Sequence, residues 1–280
     1  MVKLALIGYP LGHSLSAIIQ QAGFKSIGET GTYEILETPP DDLVERVKYL
    51  KVNNYDGFNI TIPLKVPISL FLDEIDESAN IAGCANTVKI MADKSFYGHN
   101  TDIYGFRTAI INPNRLSGKT AGIIGTGGAA RAATVGLIQI GIKVINYYSR
   151  NIINSAQMIN SMREAFPEIK FNNYQLQRMQ DLHNIDILVN CTPIGMRGHS
   201  ADMTPIPFNI MSELKKDAIV YDVIYNPVKT LFLQAAEQLG LETVSGLDML
   251  INQGAKALEI WTGKMPDTQT MKIAALEQLY

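Results

Sequence analysis

Short apolar runs alternate with helix-length segments along the whole chain, and this alternation restricts the fold more than any other feature. It is typical of α/β units built around mainly parallel sheets, because strands and helices follow one another in turn. The apolar runs predict strands at residues 4–7, 33–37, 57–62, 120–124, 143–148, 185–190 and 218–223. Helices are predicted at residues 41–52 and 129–139. We therefore expect an α/β protein.

Length and composition describe an ordinary globular protein. Its 280 residues exceed what one compact core usually holds, so about two domains are expected. The net charge of -3 gives no electrostatic reason for binding nucleic acid or an anionic membrane. Two cysteines are too few for a disulfide framework, and the four histidines lack the spacing of metal ligands. We expect no metal site.

The apolar segments are too short for a signal peptide or a membrane span. The first run stops at Gly8-Tyr9-Pro10, short of the ~7–15 residues of a signal-peptide core. The most hydrophobic later stretch, residues 134–145, is interrupted by Gln139 and Lys143. A cytoplasmic location is expected.

A glycine-rich turn joins the strand predicted at 120–124 to the helix that follows it. The run Gly125-Thr126-Gly127-Gly128-Ala129-Ala130 has the G-x-G-x-x-A spacing. Glycines allow a tight turn and a close backbone approach, and the helix start offers N–H groups to a pyrophosphate. A tight turn without a ligand is the alternative. The strand–turn–helix context favours a doubly wound, Rossmann-type nucleotide-binding domain.

The end of the next predicted strand indicates which dinucleotide is bound. An NAD site usually has an acidic residue there, ~20 residues beyond the turn, to bind the ribose 2′-hydroxyl. This chain has Ser149-Arg150-Asn151 instead, and residues 103–163 contain no Asp or Glu. An arginine suits the 2′-phosphate of NADP, although Arg150 could also be a plain surface residue. NADP is the predicted cofactor.

Several polar clusters lie in the first third of the chain, and the first two of them follow predicted strands. Ser14 and Ser16 lie two residues apart before a predicted helix, where hydroxyl and N–H groups can bind a carboxylate. A plain N-cap is the alternative for either serine. Lys65 follows Pro63, which ends a strand, and can point into a site. Asn86-Thr87 and Asn100-Thr101-Asp102 add two further polar segments.

Together these motifs resemble those of the shikimate dehydrogenase family in order and spacing, over nearly the whole chain. The matching segments are Ser14-Leu15-Ser16, Asn59-x-Thr61-x-Pro63-x-Lys65, Asn86-Thr87, Asn100-Thr101-Asp102, the turn at 125–131, Asn190-Cys191-Thr192-Pro193-x-Gly195-Met196, Tyr221-Asp222-x-x-Tyr225-x-Pro227 and Gly246-x-x-Met249-Leu250-x-x-Gln253. The resemblance implies reversible reduction of 3-dehydroshikimate to shikimate by NADPH, a step of aromatic amino-acid biosynthesis.

The resemblance also implies roles for individual residues. The catalytic pair would be Lys65 and Asp102. The substrate would be bound by Ser14, Ser16, Thr61, Asn86, Asp102, Tyr225 and Gln253. The cofactor would be bound by Gly125, Thr126, Gly127, Gly128, Ala129, Ser149, Arg150, Thr192, Val223, Gly246 and Met249.

The family's organisation implies an N-terminal, mainly parallel α/β substrate domain and an inserted Rossmann-type domain. The substrate domain would comprise residues 1–101 and 240–280, and the NADP domain residues 102–239. The discontinuity follows because Gln253 must return to the substrate. A monomer or homodimer acting on a small molecule is expected.

Several positions depart from the family pattern. Ala17 and Gln20 stand where proline and histidine are usual, and both could shift the serine turn. Asn154 replaces a second basic residue, which weakens the expected 2′-phosphate site and leaves some NAD use open. A quinate/shikimate dehydrogenase with broader substrate or NAD tolerance is therefore an alternative. A non-catalytic nucleotide-sensing protein on the same fold is a second one.

Overall fold

The computed structural model describes residues 1–12 and 14–280; His13 lies outside the described residues. The chain divides into two compact units. The first unit comprises Met1–Gly105 and Ile251–Tyr280, and the second comprises Phe106–Leu250. The boundaries expected from the sequence fall after residues 101 and 239, whereas the units divide after Gly105 and Leu250.

Twelve strands and ten α-helices are present among the described residues. The strands are β1 Val2–Gly8, β2 Gly31–Glu37, β3 Gly57–Ile60, β4 Glu74–Ile75, β5 Thr87–Ile90, β6 Phe96–His99, β7 Thr120–Ile124, β8 Val144–Ser149, β9 Lys170–Gln175, β10 Ile187–Asn190, β11 Ile219–Asp222 and β12 Glu242–Val244. The helices are α1 Ser16–Ser26, α2 Leu43–Val52, α3 Glu77–Ala82, α4 Thr101–Thr108, α5 Gly128–Gln139, α6 Ile152–Ala165, α7 Phe208–Met211, α8 Leu231–Gln238, α9 Gly246–Thr262 and α10 Thr268–Leu279.

Both unit boundaries fall inside helices. The first divides α4 and the second divides α9. A boundary inside a helix has neither a glycine- or proline-rich linker nor a break in hydrophobic periodicity. Composition therefore could not locate either boundary to the residue.

The first unit contains a mixed six-stranded sheet in the order β2-β1-β3-β5-β6-β4. Strands β2, β1 and β3 are parallel, whereas β5 pairs antiparallel with both β3 and β6. Successive residues of β1 point to opposite faces, as the pleat requires. Leu4 and Leu6 pack with Leu258 of α9, and the alternate residues Ala5 and Ile7 belong to the cluster on the other side. Both faces of β1 are buried from Leu4 to Ile7, and that run is continuously apolar.

The second unit contains a six-stranded, fully parallel sheet in the order β12-β11-β10-β7-β8-β9. The direction of winding reverses between β7 and β10, the arrangement of a doubly wound nucleotide-binding fold. Ile123 and Ile124, adjacent in β7, lie in separate core clusters because the sheet is covered on both faces. The predicted α/β class is confirmed.

Individual elements differ from their predicted bounds at proline and at short strands. The strand predicted at 57–62 ends at Ile60, and a cis Ile62–Pro63 bond follows. Pro63 has no N–H to continue a ladder. The helix predicted at 41–52 starts as a 3₁₀ turn and becomes α-helical at Leu43. The four-residue strands β5 and β6 were not predicted, since so short a run carries little periodicity.

In the part of the chain that the structure describes, every helix is too short or too polar to cross a membrane.

Candidate functional site

The serine motif stands at the beginning of α1 without forming its N-cap. The N-cap position is Leu15, whose own side chain makes no capping hydrogen bond. Ser14 Oγ accepts from Ser16 N at 3.2 Å and donates to Ser16 Oγ at 3.1 Å. Both serines are half-buried. Two joined hydroxyls at the N-terminus of a helix form a suitable site for a carboxylate.

Lys65 and Asp102 form a close ion pair. Lys65 Nζ lies 2.5 Å from Asp102 Oδ2, and the two side chains are 17% and 7% exposed. Lys65 lies in the turn after β3, whereas Asp102 lies in the first turn of α4. The other carboxylate oxygen, Oδ1, accepts a hydrogen bond from Asn86 Nδ2 at 2.8 Å. Asp102 is thus held on both oxygens, and it orients the ammonium group.

Asn86 connects the pair to the C-terminal part of the chain. Its Nδ2 also donates to Thr101 Oγ1 at 2.9 Å and approaches Gln253 Oε1 at 3.4 Å. Its Oδ1 accepts from Thr101 N at 2.7 Å, which fixes the amide orientation. Four of the predicted site residues are therefore assembled in the first unit: Lys65, Asn86, Asp102 and Gln253.

A buried polar layer supports this cluster from the sheet. Asn59 accepts from the Tyr33 hydroxyl at 2.7 Å and donates to Thr87 Oγ1 at 2.9 Å and to the Asn86 carbonyl. Burial raises the pKa of Tyr33, so its phenol stays protonated and donates. Asn59 and Thr87 belong to the sequence motifs, but no supporting role was predicted for them. Nothing in the sequence around Tyr33 signals its part in the network.

Thr61 lies directly after β3, half-buried, with its N–H bonded to the Ile7 carbonyl at 2.9 Å. It packs against the end of β1 at Gly8. A side chain at Gly8 would place its Cβ 2.4 Å from Thr61 Cγ2, so this close approach requires glycine.

The glycine turn of the second unit has the features that a pyrophosphate needs. Gly125 adopts φ +99°, which favours glycine, and a Cβ there would lie 3.0 Å from Thr192 Cγ2. A Cβ at Gly127 would meet no described atom within 4 Å, so the turn borders open space. Gly127 is also the N-cap of α5 and has no side chain that could cap its first N–H groups. The residues present therefore fit a dinucleotide phosphate.

Ser149 and Arg150 have different surroundings at the end of β8. Ser149 is buried, and its hydroxyl donates to Ser155 Oγ at 3.1 Å. Arg150 is exposed immediately after the strand. Asn151 caps α6 by accepting from Ile153 N and Asn154 N, at 3.0 and 3.1 Å. Of these two predicted cofactor residues, Arg150 is exposed, while Ser149 is committed to an internal hydrogen bond.

The remaining predicted residues of the second unit lie at the carboxyl ends of its strands or in its core. Thr192 follows β10 and contacts the glycine turn, as described above. Val223 follows β11, and a Cβ at Gly246 would lie 2.2 Å from the Val223 carbonyl oxygen, so only glycine fits there. Met249 is buried in the core. Burial raises the pKa of Tyr225.

Among the described residues there is no group of three or more His, Cys, Asp or Glu side chains that could hold a metal ion.

Family models match both parts of the chain that form the first unit. The model of the shikimate dehydrogenase substrate binding domain matches residues 6–88. The model of the shikimate 5′-dehydrogenase C-terminal domain matches residues 246–276. A shikimate dehydrogenase (NADP+) from Archaeoglobus fulgidus is 36% identical over 280 residues, which are 100% of this chain and 99% of the relative. The chain belongs to the shikimate dehydrogenase family.

Solved shikimate dehydrogenases have the same fold. One, determined in complex with NADP+, superposes with a TM-score of 0.91 at 35% identity, covering 100% of this chain and 96% of that one. The enzyme from Thermus thermophilus, determined with NADP(H) and shikimate, has a TM-score of 0.86 at 30% identity. That alignment covers 100% of both chains. The family resemblance drawn from the motifs is confirmed.

Proposed function

We propose that this chain is an NADP-dependent shikimate dehydrogenase, which catalyses the reversible reduction of 3-dehydroshikimate to shikimate. The observation that carries the proposal is the Lys65–Asp102 pair, bonded to Asn86 and set beside Gln253. It is supported by membership of a family whose full-length relatives are NADP-dependent shikimate dehydrogenases.

The first unit supplies groups that match the functional groups of the substrate. Ser14 and Ser16 would hold its carboxylate, because their hydroxyls lie at the N-terminus of α1. Thr61, Asn86, Asp102 and Gln253 would bind its ring hydroxyls. Asn86 and Gln253 offer amide donors and acceptors, which suit hydroxyls that both donate and accept.

Lys65 would handle the proton at the reacting carbon. NADPH, when bound, supplies the hydride. As a ketone is reduced, negative charge develops on its oxygen, and a nearby ammonium both stabilises that charge and donates a proton. The carboxylate of Asp102 directs the Nζ of Lys65. In the oxidative direction the neutral amine of Lys65 would accept the proton from the hydroxyl, the reverse of the donation in reduction.

The second unit would hold NADP. The turn formed by Gly125, Thr126, Gly127, Gly128 and Ala129 would bind the pyrophosphate through backbone N–H groups. Arg150 would pair with the 2′-phosphate, since it is exposed at the end of β8 in a segment that contains no carboxylate. Roles for Ser149, Thr192, Val223, Tyr225, Gly246 and Met249 stay predictions, as do the cytoplasmic location and the monomeric or homodimeric state.

Cofactor preference should depend on Arg150. We expect Arg150→Ala to lower the ratio of kcat/KM for NADP to that for NAD by ~10–100-fold, the effect of a lost charge-assisted hydrogen bond. Arg163→Ala is a matched control, because Arg163 lies at the far end of α6 and bonds to Asn160 and the Phe171 carbonyl. A preference that Arg150→Ala leaves unchanged would remove this residue from the cofactor site.

The proposed function is tested by steady-state kinetics with shikimate or quinate, each with NADP or NAD. We expect kcat/KM to be largest for shikimate with NADP, by about 10-fold or more over the other three combinations. Comparable rates with quinate or NAD would favour the quinate/shikimate dehydrogenase alternative. Cofactor binding without turnover of either substrate would instead indicate a nucleotide-sensing protein.

A further inference from the structure

A buried carboxylate that is part of no ion pair among the described residues lies at the carboxyl end of β11. Asp222 is 0% exposed, and its oxygens accept from Asn190 Nδ2 at 3.0 Å, Ile224 N at 3.1 Å and Thr230 Oγ1 at 2.7 Å. No lysine, arginine or histidine within residues 1–12 and 14–280 forms a salt bridge with it. Burial raises the pKa of Asp222 to about 7, against the effect of the three donors. Burying a carboxyl group without a cation is unfavourable, so its presence needs a reason.

The first of these hydrogen bonds orients an amide on the neighbouring strand. Asn190 ends β10, and because its Nδ2 faces Asp222, its Oδ1 points the other way. That oxygen accepts from Thr192 N at 3.0 Å and from Thr192 Oγ1 at 2.7 Å. Asp222 therefore fixes the Asn190 amide, and the amide in turn fixes Thr192 in the loop after β10. This loop contacts the glycine turn at Gly125.

The other two hydrogen bonds fix the loop after β11. The Ile224 N–H lies at its beginning, next to Val223, and Thr230 lies at its end, where it caps α8 by accepting from Leu233 N. One carboxylate thus ties both ends of the segment 223–230. The two loops follow adjacent parallel strands, at the edge of the sheet where doubly wound folds bind their ligands.

We infer that Asp222 is a positioning residue for the cofactor site, holding the loops after β10 and β11 through Asn190, Ile224 and Thr230. This inference rests on the proposed function, because Thr192 and Val223 are cofactor residues only if that function is correct. Asp222 itself is not proposed to contact the substrate or the cofactor. Its role is to remove alternative conformations of the two loops before the cofactor arrives, which lowers the entropic cost of binding.

The test compares Asp222→Ala with Asp222→Asn, using fluorescence titration of NADPH, steady-state kinetics and thermal unfolding. We expect Asp222→Ala to raise the Kd and the KM for NADPH about 10-fold, with kcat and the KM for shikimate changed less than about threefold. The separate variant Asp222→Asn should keep NADPH affinity within about threefold of the native value. Its Oδ1 can accept from both Asn190 and Ile224, and its Nδ2 can donate to the Thr230 hydroxyl.

Asp186→Ala is the matched control for a loss of stability alone. Asp186 is also a buried carboxylate of the second unit, but it precedes β10 and bonds to Thr120 N at 2.9 Å and Lys215 Nζ at 2.7 Å. The Asp186→Ala substitution should lower the Tm while leaving NADPH affinity unchanged. If Asp222→Ala does not fold, Asn190→Ala takes its place, because it removes the acceptor of Thr192 and should raise the Kd in the same direction.

Three results would overturn the inference. One is NADPH affinity in Asp222→Ala equal to that of the native chain. Another is an equal loss of affinity in Asp186→Ala at the same fall in Tm. The third is an NADPH affinity in Asp222→Asn as low as that in Asp222→Ala, because hydrogen bonds would then not account for the loss of affinity. A native chain that neither binds NADPH nor oxidises shikimate would instead contradict the proposed function.

Discussion

Replacing Lys65 with alanine is expected to lower kcat for shikimate oxidation by ~10²–10⁴-fold, with a smaller change in KM. Its ammonium lies 2.5 Å from Asp102 Oδ2, and in the proposed mechanism it exchanges a proton with the substrate oxygen. Removing it takes away both the proton carrier and the positive charge that stabilises a developing alkoxide. Most of the substrate-binding groups remain in place, so binding should suffer less than turnover.

Lys89→Ala is the control for this substitution. Lys89 is another partly buried lysine of the first unit, on β5, and its Nζ donates to the Ile260 carbonyl at 2.7 Å. It makes a structural hydrogen bond of similar length without contacting the proposed catalytic pair. We expect Lys89→Ala to change the Tm with kcat nearly native. Near-native turnover in Lys65→Ala would exclude Lys65 as the proton-handling residue.

Replacing Asp102 with asparagine should lower kcat/KM by about 10²–10³-fold, although the two side chains have the same shape. Both carboxylate oxygens face donors: Lys65 Nζ on one side and Asn86 Nδ2 on the other. An amide has one acceptor oxygen, so one of these donors must face an NH₂ group. The substitution also removes the negative charge that pairs with Lys65.

The effect of Asp102→Asn should appear in kcat and in the KM for shikimate, with the Kd for NADPH nearly unchanged. Asp76→Asn is the comparison, because both oxygens of Asp76 are also bonded, to Ala79 N and Ser78 Oγ on one side and to His99 on the other. If Asp76→Asn lowered kcat/KM as much, the loss in Asp102→Asn would reflect general disruption of the first unit.

Local sequence patterns were sufficient to predict elements whose conformation depends on residues adjacent in the sequence. The strand predicted at residues 120–124, the glycine turn and the helix that follows were located almost to the residue, as β7 and α5. The apolar alternation and the φ > 0 requirement of a tight turn are encoded within a few positions. The division between two units was also expected, but its limits lie inside α4 and α9, where no local signal marks them.

The supporting residues of the site were harder to predict than the site residues. Motif resemblance pointed to Lys65, Asn86 and Asp102, but not to the bond between Tyr33 and Asn59 that underlies them. Likewise Asp222 belongs to a recognised motif, yet its sequence neighbourhood does not reveal that it accepts from Asn190 and Thr230. These contacts depend on which strands are adjacent in the sheet, and the strand order cannot be predicted from any short segment of sequence.

By itself, the sequence determined the α/β class, the nucleotide turn at Gly125 and the residue types of a dehydrogenase site, because these follow from local periodicity and from motifs. Only the tertiary structure decided which of those residues meet. Gln253 comes within 3.4 Å of Asn86 across 167 positions of sequence, and Lys65 reaches Asp102 across 37. Such approaches arise from sheet order and helix packing, which bury polar groups together only when each finds a hydrogen-bond partner.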